Sequence, residues 1–333
     1  MVETNTRFRS GDATLVGRLI EPPGANSATP LITYAHGSEP TAFIERNRDP
    51  YQMVGRGISV FVYDKRGTGQ SEGKYTQNFP LLADDLVAAS LEAKRLAANR
   101  FGRFGIIGLS QGGWIAPLAA DRAQADFIGI GYGLVADIIE EDAAQVQKEL
   151  RDAGFGDDIL AQAREITDVT SRIATSDYTE GLDELTEFQN RFSAEPWFSV
   201  MRGSYTGVFL GMSAEELRTN GVPRFNELDI DWTLDPMSVM RGVKAPQLWI
   251  LAGEDREAPT ELTLKRLSIL RDEGKDIAIR IFPDTDHGMW EYDQKDDGSR
   301  EYRRVTAGFY ELMADWAKDR VSGDYGQAFV IAE

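Results

Sequence analysis

The chain predicts an α/β fold with a mostly parallel sheet and helices on both faces. Three observations carry this. Short apolar runs such as Ile58-Ser59-Val60-Phe61-Val62-Tyr63 and Phe104-Gly105-Ile106-Ile107-Gly108-Leu109 alternate with segments of helical periodicity. Runs without polar alternation fit strands covered on both faces. The alternation also stops for about a hundred residues and then resumes, as an insertion into such a fold requires.

The elements follow in order. Thr6 to Arg9 and Thr14 to Ile20 flank Ser10-Gly11-Asp12 and predict a hairpin, ended by Pro22, Pro23 and Gly24. Leu31 to Tyr34 is a strand leading into His36-Gly37-Ser38-Glu39-Pro40, and Ile58 to Tyr63 leads into Asp64-Lys65-Arg66-Gly67. Leu81 to Leu96 is helical, with Leu82, Leu86, Ala89 and Ala93 on one face. Phe104 to Leu109 and Phe127 to Ile130 are strands on either side of a helix that starts near Trp114. Amphipathic helices are expected over Ile138 to Leu150 and Ile159 to Ile173, followed by an aromatic-rich stretch from Ser193 to Met212. Strands resume at Gln247 to Leu251 and Ile277 to Phe282, with a helix near Thr260 to Arg271 between them. A closing amphipathic helix is expected over about Glu301 to Lys318, and the tail from Val321 has no strong pattern.

This divides the chain into a core, residues 1–136 and 241–333, and an inserted helical cap, residues 137–240. In such sheets ligands bind at the strands' C-terminal edge, and the cap is expected to close over it. The cap's aromatics exceed what charged surface helices need. Trp197, Phe198 and Phe209, together with Trp290, are therefore expected to line a substrate pocket. The alternative is a cap that only adds stability.

Composition narrows the function. A formal net charge of −18 disfavours nucleic acid and anionic membranes as partners. With no cysteine and two histidines, thiolate chemistry and a three-histidine zinc site are excluded. No apolar stretch reaches spanning length. The polar start Met1 to Thr6 lacks a signal peptide's apolar segment, which predicts a cytoplasmic protein; a removed leader would make it periplasmic or secreted. Composition leaves the oligomeric state open.

Gly108-Leu109-Ser110-Gln111-Gly112 sits where an apolar run meets a helical pattern. A serine on such a sharp turn has its hydroxyl exposed, and the helix behind it presents N–H groups to developing negative charge. Gly69-Gln70-Ser71-Glu72-Gly73 matches the same pattern, but no strand enters it and no helix leaves it. Ser110 is therefore read as a nucleophile and Ser71 as a loop residue.

A serine nucleophile needs a base, an acid behind the base, and donors for an oxyanion. His287 follows the final strand and is read as the base. Asp255 follows the preceding strand and is read as the acid, with Glu254 as its rival. Asp284 and Asp286 lie too near His287 in sequence to reach the far ring nitrogen and are expected to shape the loop. The backbone N–H groups of Gln111 and of Ser38, or else Gly37, are expected to form the oxyanion hole. His36 is expected to brace its loop by hydrogen bonding, against an alternative role as a second base.

His36-Gly37-Ser38-Glu39-Pro40, Asp64-Lys65-Arg66-Gly67-Thr68-Gly69-Gln70-Ser71, the Ser110 turn, Gly253-Glu254-Asp255 and Asp286-His287-Gly288 together resemble the α/β-hydrolase superfamily. More narrowly, the chain is similar to its serine esterases and its dienelactone-hydrolase-like and serine-aminopeptidase-like members. The resemblance spans about residues 6 to 320 except the cap. It implies that the D-x-R-G-x-G-x-S stretch is structural, and that Ser110, His287 and Asp255 hydrolyse a small-molecule ester through an acyl-enzyme. No metal or organic cofactor is implied. Peptide, amide and acyl-CoA thioester hydrolysis are the enzymatic alternatives; a non-catalytic binding protein would lack a triad member. A histidine base predicts that activity falls below about pH 6.5.

Overall fold

A computed structural model describes residues 1–296 and 298–331. It begins with a hairpin of β1 (Val2–Ser10) and β2 (Ala13–Glu21), longer at both ends than the sequence pattern suggests. The core continues as β3 (Leu31–Ala35), α1 (Asp49–Gly55), β4 (Ser59–Tyr63), α2 (Phe79–Leu96), β5 (Phe104–Leu109), α3 (Gly112–Ala120) and β6 (Phe127–Gly131). A purely helical stretch follows: α4 (Ile138–Asp152), α5 (Asp157–Thr175), α6 (Leu182–Phe192), α7 (Thr206–Leu210), α8 (Ala214–Asn220), α9 (Pro223–Leu228) and α10 (Pro236–Gly242). The sheet resumes with β7 (Gln247–Ala252), α11 (Thr260–Asp272) and β8 (Ile277–Phe282). A hairpin of β9 (Trp290–Gln294) and β10 (Arg300–Val305), α12 (Phe309–Ala317) and the short β11 (Phe329–Val330) complete the chain.

Among the described residues the main sheet runs β1-β2-β4-β3-β5-β6-β7-β8-β11. β4 through β8 are parallel, and β1, β2 and β11 add antiparallel edges. The central strands β3 to β7 are buried along their whole length, because apolar clusters cover both faces. Local chemistry sets the helices. Asn78 caps α2 by accepting from the Leu81 N–H at 3.0 Å, and Leu82, Leu86, Ala89 and Ala93 make its buried face. Asp137 and Glu140 form a reciprocal capping box on α4.

One expectation fails. Residues 300 to 305 form β10, and the closing helix starts only at Phe309. The charged residues that suggested a helix face are satisfied across the β9–β10 hairpin instead, by Arg304 with Glu291 at 2.8 Å and Lys295 with Glu301 at 3.3 Å.

Strand order reverses between β3 and β5: β4 lies to one side of β3, and β5 to β8 continue on the other. The C-terminal ends of β3 and β5 therefore open a crevice. The helical stretch is tied to the core around it. Trp114 donates from Nε1 to the Ala136 carbonyl at 2.6 Å, Arg266 pairs with Glu140 at 2.5 Å, and Thr76 donates to the Leu228 carbonyl at 2.9 Å. No helix of the described residues is long and apolar enough to cross a membrane.

The loop after β4 is a buried polar fixture. Arg66 makes a two-point pair with buried Asp85, at 2.8 and 2.7 Å. Asp64 accepts from the Phe43 and Ile44 N–H groups at 2.7 and 3.0 Å. Ser71 donates to the Asp64 carbonyl at 2.7 Å and accepts from the Val16 N–H at 2.9 Å. Arg66→Met strands the Asp85 charge and is expected to lower the unfolding free energy by about 3–5 kcal/mol, read as a fall in the urea midpoint. Ser71→Ala is expected to cost only about 1–2 kcal/mol by the same measurement.

Candidate active site

Ser110 stands on the turn between β5 and α3 with φ of 52°, a left-handed conformation that is strained for a side-chain-bearing residue. Its neighbours make the turn possible. A Cβ on Gly112 would sit 2.2 Å from the Ala35 carbonyl oxygen, and one on Gly108 would sit 2.4 Å from the Gly112 carbonyl oxygen. Only glycine lets β3, β5 and α3 approach this closely. The Ser110 N–H donates to the Gly131 carbonyl at 3.1 Å, and its own carbonyl accepts from Gly113 at 2.7 Å. The hydroxyl is left to face the crevice.

His287 lies in a short 3-10 turn (His287–Met289) after β8. Its Nε2 is 2.9 Å from Ser110 Oγ, and its Nδ1 is 3.1 and 3.0 Å from the two carboxylate oxygens of Asp255. Asp255 is fixed in turn by the N–H groups of Glu257 and Ala258, at 2.9 and 2.8 Å. Glu254 points away, toward Lys148 at 3.6 Å and Arg300 at 3.9 Å. Asp284 is exposed. Asp286 is buried and accepts from the N–H groups of His287 and Arg256 at 2.8 and 3.0 Å and from the Tyr302 hydroxyl at 2.8 Å; it pairs with Arg300 at 2.6 Å. Burial is the largest influence and opposes that charge, but Arg300, the His287 N–H and the Tyr302 hydroxyl together outweigh it and hold the Asp286 carboxyl below its usual range.

Burial also opposes the His287 imidazolium. The Asp255 charge and hydrogen bond, helped by Glu257 and Glu141, win and push His287 up to about 9. This moves the expected acid limb of activity above the pH 6.5 of an ordinary histidine, because three carboxylates face one ring. His36 goes the other way: burial, then the Lys65 charge, hold it far below the usual value. Its ring stacks on Phe43 at 4.3 Å, and its Nε2 has no hydrogen-bond partner. Hydrogen bonds with the backbone at Tyr63 and Gly37 oppose the shift and, with the stacking, brace the loop.

The N–H groups of Gln111 and Ser38 make no hydrogen bond to another described residue, and both residues line a cavity with Ser110. That cavity, about 370 Å³, is walled by Phe79, Trp114, Tyr205, Phe225 and Trp232. A second lobe of about 650 Å³ lies on the His287 side, with Tyr132, Trp290 and Tyr310 in its wall. Ser110 and Glu257 border both lobes. Two carboxylates face the serine. Glu257 lies 3.5 Å from His287 Nε2. Glu141, on α4, has its carboxyl pushed up to about 8, mainly by burial and partly countered by His287.

Of the aromatics expected in the pocket, only Trp290 borders it. Trp197 packs on Phe192 at 5.0 Å inside the helical insertion, with Phe198 beside it, and Phe209 is fully buried in a second apolar cluster there. The insertion needs a core of its own to bury its helix faces, and these residues build it. Tyr205, Phe225 and Trp232, which do border the pocket, lie on short segments without clear periodicity. Glu141 and Glu257 were also missed; in the run Ile138-Ile139-Glu140-Glu141-Asp142 the former is indistinguishable from a helix's acidic first turn.

Residues 47–145, including Ser110, match the family described as serine aminopeptidase, S33. Solved structures with the same fold include an acylaminoacyl peptidase of Pyrococcus horikoshii, at TM-score 0.51 and 18% identity, over 86% of this chain and 38% of that one. The chain thus spans well under half the length of that peptidase. They also include the Pyrococcus furiosus esterase, at 0.52 and 14%, covering 86% and 84% of the two chains. A third is the proline iminopeptidase of Mycobacterium smegmatis, at 0.52 and 17%, covering 85% and 91%. The chain thus shares the α/β-hydrolase fold of these structures. No curated protein sequence matches it. The structures that share this fold include both an esterase and peptidases.

With two histidines, the site can be read directly by NMR. The His287 ring is expected to titrate near 9, and His36 to stay neutral through the pH range in which an ordinary histidine protonates. Asp255→Asn should bring the His287 midpoint down, because burial then acts with less opposition. A wild-type His287 midpoint at the ordinary value would contradict this electrostatic account.

Proposed function

We propose that the protein is a serine hydrolase of carboxylic esters, working through a covalent acyl-enzyme on Ser110. The observation that carries this is the continuous path from Ser110 Oγ to His287 Nε2 at 2.9 Å, and from Nδ1 to Asp255 at 3.0 Å. Ser110 attacks the substrate carbonyl as His287 takes its proton. Asp255 stabilises the imidazolium, and the oxyanion forms against the N–H groups of Gln111 and Ser38. His287 then protonates the leaving group and afterwards activates water, which releases the acid. The leaving group must lie within reach of His287, so it occupies the larger lobe. The acyl group occupies the aromatic lobe beside Gln111.

A second reading is supported by Glu141 and Glu257. Two carboxylates facing an apolar acyl lobe suit a substrate with a free amino group, so the same machinery would release an N-terminal residue from an amide. Aryl esters and aminoacyl anilides separate the two readings. Under the first, short-chain aryl esters are the better substrates and Glu141→Gln leaves their KM unchanged. Under the second, aminoacyl anilides lead, and Glu141→Gln raises their KM alone.

A panel of esters, lactones, aminoacyl anilides and acyl-CoA thioesters tests the proposal. Ser110→Ala is expected to lower kcat by about 10⁴-fold or more, and Asp255→Asn by about 10⁴-fold. Ser71→Ala should leave kcat within about threefold, since that hydroxyl serves only its loop. Equal losses in the two serine variants would count against Ser110 as nucleophile.

A further inference from the structure

Lys65 has one of the largest fully buried side chains in the protein, and none of the described carboxylates lies within ion-pair distance of it. Its Nζ donates to the Gly37 carbonyl at 2.5 Å and to Gln111 Oε1 at 3.4 Å, and it lies 5.3 Å from the centre of the Tyr75 ring. Glu39 folds beside Gly37, close enough to meet a Cβ there at 2.8 Å. Burial draws the lysine down to about 7, with Glu39 opposing. Burying a long amine without an ion-pair partner is costly, and stability alone does not explain it.

We propose that Lys65 is a positioning residue that aims the oxyanion-binding N–H of Ser38; this rests on the hydrolase reading above. The Gly37 carbonyl and the Ser38 N–H belong to one peptide unit. In a trans peptide the two point in opposite directions within one plane. Holding the oxygen from behind therefore directs the N–H forward, into the cavity it shares with Ser110. The hydrogen bond from Nζ to that oxygen also polarises the unit and strengthens the N–H as a donor.

The next peptide is held in the same way. Tyr75 donates from its hydroxyl to the Ser38 carbonyl, and Gln77 Nε2 donates to the Tyr75 hydroxyl at 2.6 Å. Gln111 Nε2 donates to Gln77 Oε1. One polar clamp from the loop after β4 thus grips both residues whose N–H groups would receive the oxyanion. The resemblance leaves the residue between Asp64 and Arg66 unspecified, and here it supplies the donor that holds the Gly37 carbonyl.

The test uses the full chain and a substrate found active in the panel. Lys65→Met is expected to lower kcat by about 10–100-fold with KM within threefold, less than the loss of a whole oxyanion donor. Affinity for a trifluoromethyl ketone, whose serine adduct carries the oxyanion, should weaken by a similar factor. Tyr75→Phe, at a half-buried position, should lower kcat by about 3–10-fold with KM unchanged, and decides the matter if Lys65→Met does not fold. Unchanged kcat in a folded variant would overturn the proposal, as would a loss confined to KM or unchanged ketone affinity. Absence of Ser110-dependent hydrolysis in the wild type would instead overturn the hydrolase reading itself.

Discussion

The structure depends on how closely β3, β5 and α3 approach one another around Ser110. The Ala35 carbonyl lies where any side chain at residue 112 would have to stand, and the Gly112 carbonyl excludes one at residue 108. This crowding, together with the Gly131 and Gly113 hydrogen bonds, holds Ser110 at φ of 52°. The strain, of order 1–3 kcal/mol, is sustained by a sheet buried on both faces. Relaxing it would turn the hydroxyl out of reach of His287 and remove the Gln111 N–H from the crevice.

Around that fixed point the loops do different jobs. The loop after β7 supplies a carboxylate held by two backbone N–H groups, so Asp255 is in place before any substrate arrives. The loop after β8 supplies the imidazole and is itself clamped by Asp286, Arg300 and Tyr302 of the hairpin that follows. The loop after β4 carries no reacting group; Arg66 ties it to Asp85 of α2, and Asp64 and Lys65 tie it to the loop after β3. The site is more acidic than a triad requires, with Glu141 and Glu257 beside the serine. Together with Asp255 they raise the basicity of His287.

Much of the core was legible in the sequence because strands buried on both faces must be apolar throughout. The Ser110 turn was legible because its context is local: strand, glycine, serine, glycine, helix. His287 and Asp255 could be located by their places after the last two long strands. The Glu301 to Lys318 segment misled because charges at helical spacing also satisfy a hairpin by pairing across it. The pocket aromatics misled for another reason. Trp197, Phe198 and Phe209 are what an insertion needs for its own core, and nothing in their spacing distinguishes that use from lining a cavity. Nothing in the local sequence marks Lys65 or Glu141 for burial, which follows from tertiary contacts with residues far away in the chain.

The central claim is that Ser110 carries a covalent acyl group during turnover. It is tested most directly by acid-quenching the enzyme during hydrolysis of an aryl ester and measuring the intact mass, followed by peptide mapping. The account predicts a gain of one acyl group on the peptide containing Ser110, absent in Ser110→Ala and present in Ser71→Ala. Turnover without any adduct, or an adduct on another residue, would contradict it.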